Sequence, residues 1–275
     1  ISLRDSNDKV CIGNCVLNSF AYADDITVMS TTSPGLQRLI NLCVDYAKQW
    51  RFRFGIKKTK CMALFVDKLN VTPKWFLDNQ EIELSSCLEI LGVDFHFNND
   101  SSSHIEKRMD KCRRSFYYLR DAGMCYPGCA SDVKSYMWNV MCQSVLLYGL
   151  ECIPLNNQNM NVLETCQGNL VKQSVGLSKR SRSTALLEAL RIKKIRECIK
   201  NRTACLLNRI FQVESPVQLL TSHFMSLFLC RNVLVPNTLV SRIVSFNLSP
   251  TRCAFRKYHP PAVTQECGIV DSLRS

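Results

Sequence analysis

The sequence has no apolar run close to the roughly 20 residues that a membrane-spanning helix needs, the longest candidate being residues 224–230. No membrane partner is therefore expected. Low-complexity tracts are missing as well, and with 46% hydrophobic residues a folded protein is expected. Histidine is scarce, at four in 275 residues, which leaves few ligands for zinc. The first residues do not read as a signal peptide, so the 16 irregularly spaced cysteines are expected to be reduced thiols. Cys43 and Cys112 sit at apolar positions of helical patterns, where a thiol acts as a small hydrophobe. Cys11-x-x-x-Cys15 and Cys125-x-x-x-Cys129 lack a second pair at a zinc-site interval, and the set Cys253, His259 and Cys267 is poorly spaced; zinc is not expected.

The charge of +12 is unevenly placed. Residues 1–103 carry 11 basic and 12 acidic side chains, and residues 104–211 carry 18 and 8. Such a concentration is the footprint expected for a phosphate backbone, although a solvated basic helix face gives the same count.

Against this background one run stands out. Phe20-Ala21-Tyr22-Ala23-Asp24-Asp25-Ile26-Thr27-Val28-Met29 places two adjacent carboxylates between strand-forming residues. It reads as a β-hairpin with an acidic tip. Adjacent negative charges repel, so folding alone gives no reason for them. A divalent cation does, because Mg²⁺ is often held by one or two carboxylates together with substrate phosphates.

Tyr22-Ala23-Asp24-Asp25 resembles the catalytic hairpin of reverse transcriptases of the non-LTR retrotransposon type. Three further blocks follow in that family's order. Lys58-Thr59-Lys60-Cys61-Met62-Ala63-Leu64-Phe65 is similar to a Lys-Thr-Lys-x-Met-x-x-Phe block, and Glu89-Ile90-Leu91-Gly92-Val93 to a Tyr-Leu-Gly-Val hairpin. Leu147-Tyr148-Gly149-Leu150-Glu151 is similar to a Leu-Tyr-Gly-x-Glu element. The resemblance covers about residues 14–155. Departures are Gly55 in place of Asn, Ile90 in place of an aromatic residue and Ile153 in place of Trp. They bear on the geometry of the primer grip rather than on the carboxylates.

The resemblance implies an α+β fold: the C-terminal half of a polymerase palm over residues 1–66, primer-grip hairpins over 67–100, a basic helical thumb and following region over 101–235, and a poorly ordered tail over 236–275. It implies RNA-templated DNA synthesis by two-metal nucleotidyl transfer. The partners implied are an RNA template, a DNA primer, deoxynucleoside triphosphates and the fingers and palm half that precede this segment. Because the chain begins at Ile1, it is expected to be a fragment, inactive alone because the other catalytic Asp is missing. The parent element would work inside the cell, in cytoplasm and nucleus. Asp24 and Asp25 would hold magnesium, two ions in the complete enzyme, and Tyr22 would lie against the primer end. Lys58 would offset charge on the departing pyrophosphate, with Lys57 and Lys60 as alternatives. Leu91 and Gly92 would form the primer grip. Lys107, Arg108, Lys111, Arg113 and Arg114 would lie along the duplex. So would Lys179, Arg180, Arg182, Lys193, Lys194 and Arg196, from a cluster over residues 172–202 that also includes Lys172, Arg191, Lys200 and Arg202. A non-catalytic nucleic-acid-binding relic, using the basic helices without metal, is the alternative.

Periodicity adds detail. Ser33-Pro34 predicts a helix start, with Leu36, Leu39, Ile40, Cys43, Val44, Ala47 and Trp50 as its buried stripe. Residues 61–66 predict a strand. Ser103-x-x-Glu106 predicts a capping box before a helix burying Ile105, Met109, Cys112, Phe116 and Leu119, with the five basic residues opposite. Further helices are predicted over 130–149, with Val133, Met137, Val140, Met141 and Leu147 inward, and over 158–176, 183–212 and 214–230.

Overall fold

A computed structural model of the chain describes residues 3, 8, 10–12, 15–63, 73–212, 218 and 221. The predicted helix over 214–230 apart from residues 218 and 221, the tail over 236–275, and residues 64–66 of the predicted strand over 61–66 lie outside these residues. The fold is mixed α+β. Strands come first, as β1 (Val10–Ile12), β2 (Cys15–Leu17), β3 (Ser19–Tyr22) and β4 (Asp25–Val28). They are followed by α1 (Ser33–Gln49), β5 (Lys60–Cys61), β6 (Phe76–Leu77), β7 (Gln80–Glu81), β8 (Glu83–Leu84), β9 (Cys87–Ile90) and β10 (Val93–His96). Among the described residues the strands pair only two by two: β1 with β2, β3 with β4, β6 with β7 and β9 with β10 antiparallel, and β5 with β8 parallel.

The start of α1 differs by one residue from the sequence prediction. Thr32, not Ser33, is the N-cap, and its hydroxyl accepts from the Gly35 N–H at 3.1 Å. The helix buries Leu39, Ile40 and Ala47 as predicted, but Trp50 lies just past its end and is 63% exposed. Ile40 packs with Cys61, Trp75, Leu77 and Ile82, joined by Val28, into a first core. Two side chains fasten the β6–β7 hairpin to α1. Trp75 Nε1 donates to Ser33 O at 3.0 Å, and the Gln37 amide both donates to Phe76 O and accepts from Phe76 N–H, each at 2.8 Å.

A larger core belongs to the helices. These are α2 (Ser102–Asp121), α3 (Ser131–Met137), α4 (Ser144–Leu147), α5 (Asn157–Ser174), α6 (Ser183–Ala189) and α7 (Ile195–Gln212), with a π-helical segment, Trp138–Gln143, between α3 and α4. α2 starts two residues earlier than the capping box implied, with Ser101 rather than Ser103 as the N-cap. Its first turn is closed by the Asp100 carboxylate, which accepts from Ser102 N–H at 3.0 Å. Its predicted stripe is buried in full, in a cluster with Trp138, Leu146, Leu163 and Ile195. Cys112, Cys142 and Cys166 lie in this core as buried thiols, and the hydrogen bond with Cys142, together with burial, pushes the Cys112 thiol far above the ordinary range.

Two helix predictions are corrected here. The inward face predicted for residues 130–149 holds only in part: Leu147 is buried and Met137 packs against the core, whereas the π-helical segment, with more residues per turn than an α-helix, turns Val140 and Met141 outward. Val133, Val140 and Met141 are exposed, and Trp138, Cys142 and Leu146 take the core. The wide turn brings residues five apart together: Trp138 Nε1 donates to Gln143 Oε1 at 3.1 Å. The helix predicted over 183–212 is two helices, broken at Arg191, whose φ is 52°. The buried Gln167 of α5 fills the break. Its Nε2 donates to Lys193 O at 2.9 Å, and its Oε1 accepts from Ile195 N–H at 3.1 Å, capping α7 from another helix. Gln167→Leu keeps the volume and strands both backbone groups, a loss of about 3 kcal/mol at roughly 1–3 per buried unpaired group. Urea unfolding in reducing buffer measures it, and a change below about 1 kcal/mol would refute this role.

Candidate functional site

The acidic run forms the hairpin the sequence implies. β3 and β4 pair with Ser19 opposite Val28 and Tyr22 opposite Asp25, leaving Ala23 and Asp24 as a two-residue turn. A right-handed strand twist favours turns with positive φ, which glycine supplies without strain. Here Ala23 adopts φ 52° with a side chain present, at a cost of roughly 1 kcal/mol. Tyr22, Asp24 and Asp25 are all exposed, Tyr22 by 66%. Neither carboxylate makes an ion pair or side-chain hydrogen bond among the described residues. Two adjacent hard oxygen donors open to water are a donor set that fits Mg²⁺, with remaining positions left for water or phosphate. Among the described residues no three His, Cys, Asp or Glu side chains are grouped to hold a metal. The pair is therefore part of a site, not a closed cage.

Lys58 ends a turn after α1 in which its N–H bonds Gly55 O at 2.9 Å, and its side chain is exposed. Lys57 is also exposed, whereas Lys60 pairs with Glu83 at 3.7 Å.

The second motif hairpin, β9–β10, turns through Leu91 and Gly92, both at positive φ, 50° and 74°. That pattern matches a type I′ turn, with a leucine where Asn, Asp or Gly is usual. Both carbonyls of the tip are held by side chains. The Tyr148 hydroxyl donates to Leu91 O at 2.7 Å, and Arg108 donates to Gly92 O at 2.9 Å. The Arg108 guanidinium lies 4.7 Å above the Tyr148 ring, a cation–π contact that fixes both partners. Two of the four motif blocks, residues 91–93 and 147–151, therefore meet through α2. Gly149 shows how tightly: its φ is 76°, and a Cβ there would lie 2.7 Å from Val93 Cγ2.

His104 and Asp94 complete this joint. Asp94 N–H donates to His104 Nδ1 at 3.3 Å, which leaves the proton on Nε2 to donate to Tyr148 O at 3.1 Å. The Asp94 carboxylate is 2% exposed and takes the Lys107 ammonium at 2.8 Å. That bond raises the Lys107 pKa, with Glu89 contributing from 3.8 Å. Burial lowers the His104 pKa below 6.5.

The basic residues predicted to face nucleic acid separate into two groups. Arg108, expected opposite the buried stripe, is itself only 7% exposed and belongs to the joint, as does Lys107. Arg113 pairs with Asp110 at 2.6 Å and Arg196 with Glu164 at 3.1 Å. Lys172 is buried, and its ammonium donates to Lys179 O at 2.7 Å and Ser181 O at 3.1 Å. Lys111, Arg114, Lys179, Arg180, Arg182, Lys193 and Lys194 are exposed. The last five stand on two loops anchored by Lys172 and Gln167 of α5. Sequence reasoning missed Asp94, His104 and Gln167. A signal existed for His104, since His104, Arg108 and Cys112 recur every four residues beside the apolar stripe.

Comparison of the chain with protein-family models, curated proteins and solved structures finds no match. Among the described residues no helix is long and apolar enough to cross a membrane.

Two tests follow from the joint. Unfolded His104 binds a proton below about 6.5, while the folded ring resists it, so stability is full above that pH and declines as pH falls below it. Unfolding midpoints measured from pH 8 to pH 5 should show the decline, and His104→Gln should flatten it; an unchanged slope would count against a buried neutral ring. Gly149→Ala should lose about 2 kcal/mol or more from clash and positive φ, read by urea unfolding.

Proposed function

We propose that this chain is the catalytic-hairpin and helical portion of a reverse transcriptase of the non-LTR retrotransposon type. The observation that carries the reading is the adjacent pair Asp24 and Asp25, exposed and without an ion pair among the described residues, at a strained two-residue turn. A turn optimised for stability alone favours glycine and no like-charge neighbours. The meeting of residues 91–93 with 147–151 adds support, because both blocks carry the family resemblance and lie far apart in sequence.

In this reading Asp24, with Asp25 in support, holds magnesium against the phosphates of an incoming deoxynucleoside triphosphate. Bound magnesium would stabilise the attacking and leaving oxygens of the in-line displacement. Tyr22 braces the primer end beside the carboxylates, and Lys58 offsets charge on the departing pyrophosphate. Leu91 and Gly92 give a rigid turn whose backbone approaches the primer strand, held from behind by Arg108 and Tyr148. The exposed cations Lys111, Arg114, Lys179, Arg180, Arg182, Lys193 and Lys194 bind template and primer phosphates without reading sequence. The palm assignment for residues 1–66 and the thumb assignment for the helices belong to the same proposal.

The second reading, a nucleic-acid-binding relic, is favoured by the two exposed basic loops, which need no metal. Manganese titration of the isotope-labelled chain separates the readings. Paramagnetic broadening should centre on residues 21–26 and vanish in Asp24→Asn/Asp25→Asn, whose duplex affinity stays unchanged. Absence of local broadening would sink the catalytic reading. Two carboxylates do not complete a two-metal site, so the purified chain should not extend a primer; supplying the family's preceding half should restore extension that Asp24→Asn abolishes. Charge reversal at Arg113 and Arg114 should weaken duplex binding in both readings, and binding that ignores salt would count against both.

A further inference from the structure

The C-terminal end of α1 carries a surface separate from the carboxylate hairpin. Residues 46–60 contain six basic side chains and no acidic one, although residues 1–103 as a whole are nearly neutral. Lys48 pairs with Asp78 at 3.3 Å and Lys60 with Glu83 at 3.7 Å. Arg51 and Arg53 are exposed, and neither makes an ion pair among the described residues.

Aromatic rings run between these cations as a connected ladder. Ring centroids are 6.0 Å apart for Tyr46 and Trp50, 6.1 Å for Tyr46 and Phe52, and 5.3 Å for Phe52 and Phe54. Phe54 is anchored on the first core. Tyr46 and Trp50, at the outer end, are 53% and 63% exposed. Single exposed apolar residues need no explanation, but a contiguous aromatic surface rimmed by charge does.

The backbone supplies an independent observation. Arg51 has φ 58° and occupies the position just after the helix C-cap where glycine is favoured. The two capping bonds of this motif are present, from Phe52 N–H to Ala47 O at 3.0 Å and from Arg51 N–H to Lys48 O at 3.3 Å. Stability alone selects glycine there. The arginine instead places a cation at the rim of the aromatic ladder.

We propose that this surface binds single-stranded nucleic acid, with bases stacked on Trp50 and Tyr46 and phosphates held by Arg51 and Arg53. Every base has a π-face, and a single strand exposes it where a duplex hides it. Two exposed arginines beside the aromatic ladder, Arg51 and Arg53, neither in an ion pair among the described residues, suit a polyanion better than an ordinary protein surface, even with Asp45 and the Lys48 partner Asp78 nearby. The proposal does not depend on the hairpin carboxylates, so either reading can fail without the other.

Of the three tryptophans, Trp75 and Trp138 are buried at 4% and 2% exposure, so added strands report on Trp50 by quenching its fluorescence. The full chain is titrated with oligo(U) and with oligo(dT) of about 12 nucleotides, within the usual span of such sites. Quenching by either strand is expected in the wild type, and affinity, read by anisotropy of end-labelled strands so that the variants can be compared, should fall about tenfold in Trp50→Ala and again in Tyr46→Ala, the loss typical of one stacked base. Arg51→Gly should leave the unfolding midpoint unchanged or higher, yet weaken binding about threefold and lower the salt slope by about one. Binding of both strands without quenching, or at wild-type affinity in Trp50→Ala, would overturn the proposal. So would fluorescence blind to both strands in a chain whose self-association Trp50→Ala abolishes, which would make the patch a protein contact.

Discussion

Two backbone carbonyls at the tip of β9–β10, those of Leu91 and Gly92, decide how the strand-rich segment joins the helices. A tight turn leaves such groups pointing outward, where water normally satisfies them. Here Tyr148 and Arg108 do so instead, and the guanidinium resting on the phenol ring keeps both donors in place. Neutral hydrogen bonds contribute about 1 kcal/mol each and charged ones somewhat more. The larger effect is positional. With the tip fixed, His104 reaches both Asp94 N–H and Tyr148 O, and Gly149 can lie against Val93. Removing His104 leaves the buried Asp94 N–H without its partner, whereas the bond from the Tyr148 hydroxyl lies at the surface, within reach of water.

The same solution recurs wherever irregular chain runs inside the helical core. Lys134 donates to Ser174 O at 3.1 Å, the Ser135 hydroxyl to Leu190 O at 2.7 Å, and Lys172 and Gln167 hold the loops on either side of α6. Buried ammonium groups on carbonyl oxygens are costly unless the hydrogen bonding is good, and these two have it. Beside local caps such as Thr32 on α1 and Asn156 on α5, the start of α7 is capped by a residue distant in sequence, Gln167. Three basic residues, Arg108, Lys134 and Lys172, are thus internal braces rather than surface charges.

That explains what could be read from the sequence and what could not. The hairpin around Asp24, the extent of α1 and the stripe from Ile105 to Leu119 follow from local periodicity, and each forms where alternation or helical spacing put it. The mixed α+β character followed from the same patterns. The faces of residues 138–143 did not, because the spacing rule assumes 3.6 residues per turn and the π-helical segment departs from it. The break at Arg191 was hidden because leucine, isoleucine and lysine continue a helical pattern through it, and only a distant glutamine makes the interruption tolerable. Net charge averaged over a hundred residues likewise concealed the cationic ring around Trp50. Composition reports sums, whereas recognition depends on neighbours.

The widened turn at residues 138–143 reaches further than its own hydrogen bonds. An α-helix advances about 100° of azimuth per residue, so one residue absorbed without adding a turn resets the heading of everything after it. Trp138 faces the core on one bearing, and Tyr148 leaves the helix on the bearing that reaches Leu91. A regular helix of the same length satisfies one of these and misses the other. The irregular stretch is a phase adjuster, letting a single continuous rod serve the interior at one end and the hairpin at the other.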